Sequence, residues 1–324
     1  MKATTIQLRT PYPPGHVNGY LFADSPITIV DPGPAVETTV PTWLAALAAH
    51  GLQPRQVEQI VLTHQHWDHL GAAQALRERT GARVLAPPGV RRYVTGFAEA
   101  MAAEVAYYTT LMRTHDVPEE LTTQALAVFA GIVPYVETSE LDAELPHGSQ
   151  LRVGGHTLTV LARPGHSPTD TVFADLEAGV ALVGDHLLEE YPSIVMPPVQ
   201  APPVPASALL RSGMPEMLDS LRATERLGLS LALPGHGAPV SDIPAAVARS
   251  VEFFRRHDAQ ILDALARGSA TAWGLVLSRD PEPRGADALY KLAATLGALE
   301  MLGREGRVEQ LGEERGAPRF GRAA

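Results

Sequence analysis

The sequence predicts an α/β (α+β) fold followed by a smaller, mainly helical region. Short apolar runs that suit buried strands recur along the first two thirds of the chain, and several end in a loop that contains glycine, histidine or aspartate. Segments with helical apolar spacing lie between these runs. From about residue 243 onward, helical segments dominate until a strand–turn–strand pattern closes the chain. These three observations define the expected class of fold.

The predicted elements follow one another in a regular order. Residues 1–35 suit short strands and turns, and a helix is expected over residues 37–50, where Trp43 and Leu47 share one face and Gly51 ends it. The elements expected next are a strand over 59–63, a helix over 71–79, and strands over 83–86, 150–153, 157–162, 171–174 and 180–183. Residues 190–213 contain six prolines and predict a long irregular loop.

Two segments depart from this strand-rich pattern. Residues 88–140 are interpreted as a helical insertion, with helices over 98–112 and 119–130. Its aromatic side chains suit either packing against the domain or the wall of a substrate pocket, and both interpretations stay open. The C-terminal helices are expected over 247–267, 271–278 and 286–304. We therefore divide the chain into residues 1–248, a catalytic domain that includes the insertion, and residues 249–324, whose helices and closing strand–turn–strand resemble a winged helix.

One cluster of polar side chains dominates the sequence. His64-Gln65-His66-Trp67-Asp68-His69 directly follows the apolar run that predicts the strand over 59–63. Imidazole nitrogens and carboxylate oxygens at this density suit zinc or another borderline divalent ion. His64 and His66 are two residues apart, so an extended backbone directs both to the same side. Asp68 and His69 lie beyond the strand and can turn toward a second ion. The spacing therefore indicates two metals.

Three later segments repeat the arrangement of an apolar run followed by a metal-binding side chain. They contain Gly165-His166, Gly184-Asp185-His186 and Gly235-His236-Gly237. Glycine beside the donor permits the tight turns that a metal-binding loop needs. A single segment of this kind is usually a turn with a surface histidine. The presence of all four clusters along the chain predicts a single centre that holds both metals.

These motifs resemble those of the metallo-β-lactamase-fold superfamily of metallohydrolases. The resemblance rests on the Thr63–Gly71 motif, on His166, Asp185 and His236, and on the opening segment Val17–Leu21 with the Asp31-Pro32-Gly33 turn. It implies a four-layer αββα sandwich whose site lies at one edge of two sheets. It also implies two divalent metal ions per chain, with zinc expected and iron or manganese as alternatives.

The resemblance also implies a role for each residue of the site. Asp68 and Asp185 are the expected catalytic residues, and Asp68 would orient water or pass a proton to the leaving group. Asp31 would either orient the ligand loop or be a simple turn residue, and His186 would either support a ligand or face solvent. The implied ligands are His64, His66 and His166 for the first metal, Asp68, His69 and His236 for the second, and Asp185 between the two.

Within the superfamily, the chain is similar to the thioester-hydrolase-like group. This group includes hydroxyacylglutathione hydrolases and proteins similar to β-lactamase-like protein 2, whose tails resemble a winged helix. The expected reaction is hydrolysis of an ester, thioester or lactone of a small acyl substrate by metal-activated hydroxide. Glu189 and Glu190 disfavour glutathione as a substrate, and Leu188 departs from the quorum-quenching lactonases. The alternatives are a phosphodiesterase or ribonuclease with the same metal pair, and a non-hydrolytic iron-dependent redox protein.

Composition narrows the expected partners. The chain has 324 residues, a formal net charge of −10 and no cysteine, which rules out thiolate ligands and disulfides. The negative charge argues against nucleic acid as a partner. The absence of a long apolar run argues against a membrane, and a cytoplasmic protein is expected. A small-molecule substrate is therefore the expected partner, and homodimerisation is considered as a role for the C-terminal region.

Overall fold

The chain forms two compact units in the computed structural model, which describes residues 2–13, 15–200 and 210–323. Residues 201–209 of the predicted irregular loop lie outside this described part. The first unit consists of Met1–Ala100, Ile132–Ser193 and Ser220–Val247. The second consists of Met101–Gly131, Ile194–Asp219 and Ala248–Ala324. No helix among the described residues is both long and apolar enough to span a bilayer.

The first unit is built on two β-sheets. Within the described residues, six strands form the first sheet in their chain order and five form the second in the order β11-β10-β9-β8-β7. The first sheet contains β1 (Thr4–Arg9), β2 (His16–Phe22), β3 (Thr28–Val30), β4 (Gln59–Val61), β5 (Arg83–Ala86) and β6 (Ala143–Glu144). The second contains β7 (Gln150–Val153), β8 (His156–Ala162), β9 (Thr171–Asp175), β10 (Val180–Gly184) and β11 (Leu231–Pro234).

The two sheets pack face to face through one apolar core. Phe22 and Val30 of the first sheet lie in the same buried cluster as Val160, Phe173 and Leu182 of the second. Every residue of β9 and β10 is buried, so both faces of these strands are covered. Removal of this apolar surface from water is the main stabilising contribution. The predicted mixed α/β architecture is confirmed.

Helices pack against the first sheet. α1 (Thr39–Ala49) contacts β1, α2 (Trp67–Leu70) contacts β2 and α3 (Ala73–Thr80) contacts β5, and α4 (Arg91–Thr95) follows β5 along the chain. In α1, Trp43 and Leu47 are one turn apart and fully buried, and the Trp43 indole donates a hydrogen bond to the carbonyl of Pro32 at 2.8 Å. Gly81 ends α3 in the left-handed conformation, with a φ of 78°.

The second unit combines helices with a small sheet. Its helical segments belong to α5 (Phe97–Thr114), α6 (Glu119–Ile132), α7 (Met214–Glu225), α8 (Ile243–Leu265), α9 (Ala272–Leu277) and α10 (Asp287–Arg304). The sheet has the order β12-β14-β13, formed by β12 (Ala270–Thr271), β13 (Val308–Glu314) and β14 (Ala317–Arg322). The interpretation of α8–α10 and this sheet as a winged helix stays a prediction.

Helices of the predicted insertion share a core with the C-terminal region. Tyr107 and Leu111 of α5 lie in one buried cluster with Trp273, Leu292 and Leu296. These aromatic and apolar side chains therefore pack the second unit. The sequence assigned the insertion to the catalytic region, whereas the compact units place residues 101–131 with the C-terminal region. The domain boundary at residue 248 remains a prediction.

Candidate metal centre

The predicted metal-binding segments all follow the carboxyl ends of strands in the first unit. β10 and β11 are parallel neighbours, so Asp185 and His236 emerge at the same edge of the second sheet. β8 runs in the same direction as β10, because each is antiparallel to β9. His166 after β8 therefore reaches that edge too. In the first sheet, β4 precedes the His64–His69 motif. The topology gathers four distant segments.

Three histidines and a carboxylate form the first donor group. Nδ1 of His66 lies 3.0 Å from Nε2 of His64 and 2.9 Å from Nε2 of His166. Oδ2 of Asp185 lies 3.6 Å from Nε2 of His166. One donor atom from each of these four residues falls within 4.8 Å of the others. Tetrahedral zinc with Zn–N bonds of about 2.0–2.1 Å holds its ligand atoms roughly 3.3 Å apart, so the group has the right dimensions.

The second donor group combines Asp68, His69 and His236. Nε2 of His236 lies 3.3 Å from Oδ2 of Asp68 and 3.4 Å from Oδ2 of Asp185. Nε2 of His69 lies 3.4 Å from the other carboxylate oxygen of Asp185, Oδ1. Asp185 thus contacts histidines of both groups, His166 in the first and His69 and His236 in the second. The structure brings all seven predicted ligand residues together in two adjoining groups.

Hydrogen bonds fix the ring nitrogen that His64 presents. The Thr63 hydroxyl donates to Oδ2 of Asp31 at 2.7 Å, and the same hydroxyl lies 3.0 Å from Nδ1 of His64. Because its proton is already used, this hydroxyl can only accept from His64. Nδ1 of His64 therefore carries the proton, and Nε2 keeps the lone pair that a metal requires.

His69 and His236 are oriented in the same way. Nδ1 of His69 lies 2.9 Å from Oδ2 of Asp31, and Nδ1 of His236 lies 2.6 Å from the backbone carbonyl of His16. Both partners are acceptors, so Nδ1 is the donor in each ring and Nε2 faces the donor group. Asp31 therefore orients a ligand candidate and is more than a turn residue.

Electrostatics distinguishes the two groups. Burial lowers the pKa of His66 to about 3, with His166 adding to the effect, and burial together with His69 holds the pKa of His64 well below its usual value. These rings are neutral near pH 7, as metal ligands must be. In the second group, burial opposes protonation, but Asp185 and the other carboxylates raise the pKa of His69 well above normal and that of His236 to about 10. The second group thus favours positive charge.

Two buried polar atoms support a fit to metal ions. Nε2 of His69 and Oδ1 of Asp185 have no hydrogen-bond partner among the described residues, although each is inaccessible to solvent. Buried polar atoms are usually satisfied, so an unmatched pair 3.4 Å apart calls for a partner between the two atoms. A divalent cation satisfies both atoms with the histidine and carboxylate chemistry that zinc accepts.

Glycine is required where the second sheet approaches the candidate ligands. A Cβ on Gly235 would lie 2.5 Å from Cε1 of His69, and a Cβ on Gly184 would lie 2.7 Å from the Thr63 hydroxyl. Gly184 also has a φ of 50°, which glycine adopts most readily. Any larger residue at these two positions would displace the ligand loops.

Several supporting residues were not identified from the sequence. The Asn18 side chain donates to the carbonyls of Pro234 and Gly237 at 3.1 and 3.0 Å, and the Tyr20 hydroxyl donates to Pro234 at 2.6 Å, which ties β2 to the His236 loop. Asp170 accepts from the backbone and hydroxyl of Ser167 at 2.8 and 2.5 Å and so shapes the loop after His166. The Val17–Leu21 and Thr63 motifs were the available signals, but their hydrogen bonds depend on the tertiary fold.

The remaining sequence candidates lie beside the donor groups. His186 is fully buried, with Nε2 2.9 Å from the Thr224 hydroxyl, and burial lowers its pKa to about 3. The expectation of a solvent-facing His186 is therefore wrong. Tyr191 is 42% exposed, and burial followed by Asp185 raises its pKa.

Comparison with known proteins identifies the family. Residues 12–236 match the Metallo-beta-lactamase superfamily. A probable metallo-hydrolase, YqjP, of Bacillus subtilis (strain 168) is 24% identical over 297 residues, which cover 92% of this chain and 91% of that protein. A metallo-beta-lactamase family protein from Thermus thermophilus has a similar structure, with a TM-score of 0.76, 28% identity, and coverage of 99% of this chain and 98% of that one. A β-lactamase domain protein from Burkholderia ambifaria matches with a TM-score of 0.81 at 24% identity, over 98% and 92% of the two chains.

The chain belongs to the metallo-β-lactamase superfamily, since the match covers the whole region that contains the donor groups. The predicted sandwich fold is confirmed by the structural neighbours. Together with the clustered histidines and aspartates, this membership makes the protein a metal-dependent hydrolase that binds divalent metal.

Proposed function

We propose that the protein hydrolyses an ester, thioester or lactone of a small acyl substrate with two divalent ions, of which zinc is the expected metal. The observation that carries this proposal is the position of Asp185, whose two carboxylate oxygens approach histidines of both donor groups. The first ion would be held by His64, His66 and His166, the second by Asp68, His69 and His236, with Asp185 shared. Two ions so held supply a polarised substrate oxygen and an acidified water at neutral pH.

The protein's own groups have separate tasks in this reaction. The Asp68 carboxylate is 14% exposed, whereas its partner His236 is 6% exposed, so Asp68 is the more accessible of the two to a bound substrate. Its carboxylate can accept the proton of the attacking water and return it to the leaving group. Asp31 and the His16 carbonyl hold the rings of His69 and His236 in one orientation. Hydrolysis breaks the bond from the acyl carbon to sulfur or oxygen and yields a carboxylate and a thiol or alcohol.

Relatives with named activities support acyl chemistry. A hydroxyacylglutathione hydrolase of Cereibacter sphaeroides is 30% identical over 156 residues, which cover 48% of this chain and 44% of that protein. A second, from Anaeromyxobacter dehalogenans, is 38% identical over 99 residues, or 30% of this chain and 36% of that protein. The matches span less than half of each relative. They support a thioester-type substrate and do not specify the leaving group.

Metal analysis and a substrate panel test the proposal together. Purified protein loaded with zinc, manganese or iron is assayed against thioesters, simple esters, lactones and bis-p-nitrophenyl phosphate. We expect about two ions per chain and activity on the acyl substrates. Asp185→Asn should lower metal affinity more than roughly a hundredfold, beyond the usual effect of residues that only support ligands. Asp24→Asn, an exposed aspartate in a turn of the same unit, is the matched control.

Three results would contradict the proposal. Metal-free protein that retains full activity would exclude a metal mechanism. An Asp185→Asn variant with unchanged metal content and turnover would remove Asp185 from the site. Hydrolysis of the phosphodiester without any acyl substrate would favour the phosphodiesterase alternative.

A further inference from the structure

The segment that follows Asp185 folds back beside the candidate metal centre. The Ser193 hydroxyl donates a hydrogen bond to the backbone carbonyl of Asp185, which closes residues 185–193 into a loop. Leu187 and Leu188 are buried within it at 1% and 6% exposure. Glu190 and Tyr191 are exposed. The side chains of Glu190 and Tyr191 are therefore accessible from solvent at this end of the loop.

Glu190 lies next to the His236 ligand loop. Its carboxylate carbon is 3.9 Å from the position that a Cβ on Gly237 would occupy, and Gly237 directly follows His236. Asn18 binds the Gly237 carbonyl at 3.0 Å, so this part of the loop is fixed in place. The Glu190 carboxylate therefore lies beside the loop that carries His236.

No cation in the described part of the chain forms an ion pair with the Glu190 carboxylate. Burial, Asp185 and then Glu190 raise the pKa of Tyr191. The negative charge of Glu190 therefore acts on the side chain that follows it. An unpaired charge at such a position acts on any charged group that a substrate brings close to it. An arginine or lysine in this place would have the opposite effect, and a glycine would have none.

We infer that Glu190 sets the charge preference of the site, so that the enzyme accepts neutral or cationic leaving groups and disfavours anionic ones such as glutathione. This inference rests on the proposed acyl hydrolysis and specifies its substrate class. It separates this chain from the relatives named as hydroxyacylglutathione hydrolases, which it matches over less than half of their length. The preference arises because an anionic leaving group would be repelled by the carboxylate, whereas an ammonium group would be attracted.

Three acetyl thioesters with different charges test this preference in the metal-loaded, full-length protein. S-acetyl-N-acetylcysteamine is neutral, acetylthiocholine is cationic and S-acetylglutathione is anionic. The measured quantity is kcat/KM for each charged thioester divided by that for the neutral one. We expect Glu190→Gln to raise the ratio for S-acetylglutathione by about three- to tenfold and to lower the ratio for acetylthiocholine, since one nearby charge has an effect of this size. Both changes should shrink at high salt.

Glu177→Gln is the matched control, because Glu177 is exposed in the turn before β10, at the opposite end of that strand from Asp185. It should leave both ratios unchanged. Equal ratios in the wild type and Glu190→Gln would overturn the inference while the proposed function stands. Failure of the metal-loaded protein to hydrolyse any acyl substrate would overturn the proposed function and this inference together.

Discussion

At the scale of single residues, Asp31 organises two of the candidate ligand histidines. Its carboxylate accepts from the Thr63 backbone at 2.8 Å, from the Thr63 hydroxyl at 2.7 Å and from Nδ1 of His69 at 2.9 Å. The Thr63 hydroxyl in turn accepts from His64. Asp31 is 1% exposed, and its φ of 51° turns the chain directly after β3. One buried carboxylate thus fixes ring orientation in both donor groups.

Asp31→Asn should weaken metal binding by roughly ten- to a hundredfold, the usual effect of losing a group that supports a ligand. Asparagine tolerates a positive φ, so the turn can persist while the negative charge is lost. Metal affinity is measured by competition with a chelator at constant pH, and Asp24→Asn is the control. Wild-type affinity in Asp31→Asn would show that Asp31 shapes the turn without supporting the site.

The residues of the site were more predictable than the contacts that hold them. All seven ligand candidates could be named because each follows an apolar strand and carries a metal-binding group. The support from the His16 carbonyl could not be named, because a backbone group has no sequence signal. His186 forms a hydrogen bond with Thr224, 38 residues further along the chain, so its environment was not visible in the local sequence either.

At the scale of elements, strands were located well and short or polar helices were missed. β5 and β7 have the predicted ends, and β8–β10 differ by one residue, since apolar runs between turns give a clear signal. α4 spans only five residues, too few to show helical periodicity. α7 follows the proline-rich segment and was not predicted, although Met214, Met217, Leu218 and Leu221 have the spacing of an amphipathic helix and are buried.

Helix α8 carries a histidine whose proton binding should couple to stability. Both ring nitrogens of His257 lie 3.0–3.2 Å from the guanidinium of Arg279, and burial followed by Arg279 lowers the pKa of His257 to about 4. In the unfolded chain this pKa is about 6.5. The unfolded state therefore binds the proton first as pH falls. His257 stabilises the fold above pH 6.5, and this stabilisation is lost as pH falls toward 4.

The free energy of unfolding of His257→Gln should therefore fall less than that of the wild type between pH 6.5 and pH 4. The difference from wild type is expected to be on the order of 1 kcal/mol, because solvent screens a half-buried pair. Denaturant unfolding of both proteins at pH 7, 5.5 and 4.5 measures it. Parallel pH curves for the two proteins would contradict the coupling. Other titrating groups are common to both proteins and cancel in the comparison.

At the scale of the whole molecule, the net charge and the ion pairs of α10 bear on whether the protein binds nucleic acid. The chain carries a net charge of −10, and the two cations of α10 are both paired. Lys291 contacts Asp280 at 2.6 Å and Arg304 contacts Glu300 at 2.8 Å. Phosphate binding depends on available positive charge, which this helix does not offer. That this helix packs against its neighbours and does not recognise nucleic acid stays a prediction.

The association of residues 101–131 with the C-terminal region was not predictable from the sequence. Helical spacing identified the apolar faces of α5 and α6 but did not show which segment covers them. The buried cluster joins Leu111 to Leu292, which are 181 positions apart. Periodicity reports the face of a helix, whereas the partner of that face is set by the tertiary fold.

A truncation tests whether residues 1–248 fold by themselves, as the sequence predicted. Removal of 249–324 would uncover Tyr107, Leu111 and Met112, which are at most 3% exposed in the full chain. We expect the shortened protein to aggregate and to bind a hydrophobic dye, because a large apolar patch would face water. Soluble yield, size-exclusion chromatography and dye fluorescence measure this. A monodisperse truncated protein with the full metal content would instead support the predicted boundary.

Two leucine substitutions test the same core in the intact chain. Leu292 is fully buried in the second unit, so Leu292→Ala should lower the free energy of unfolding by about 2–5 kcal/mol through lost burial and a residual cavity. Leu311 in β13 is 55% exposed, and Leu311→Ala should change the free energy of unfolding by less than about 0.5 kcal/mol. Denaturant unfolding followed by far-UV circular dichroism compares the two variants. Equal losses would show that the shared core contributes no more than the exposed hairpin, and an unperturbed Leu292→Ala would refute the shared core itself.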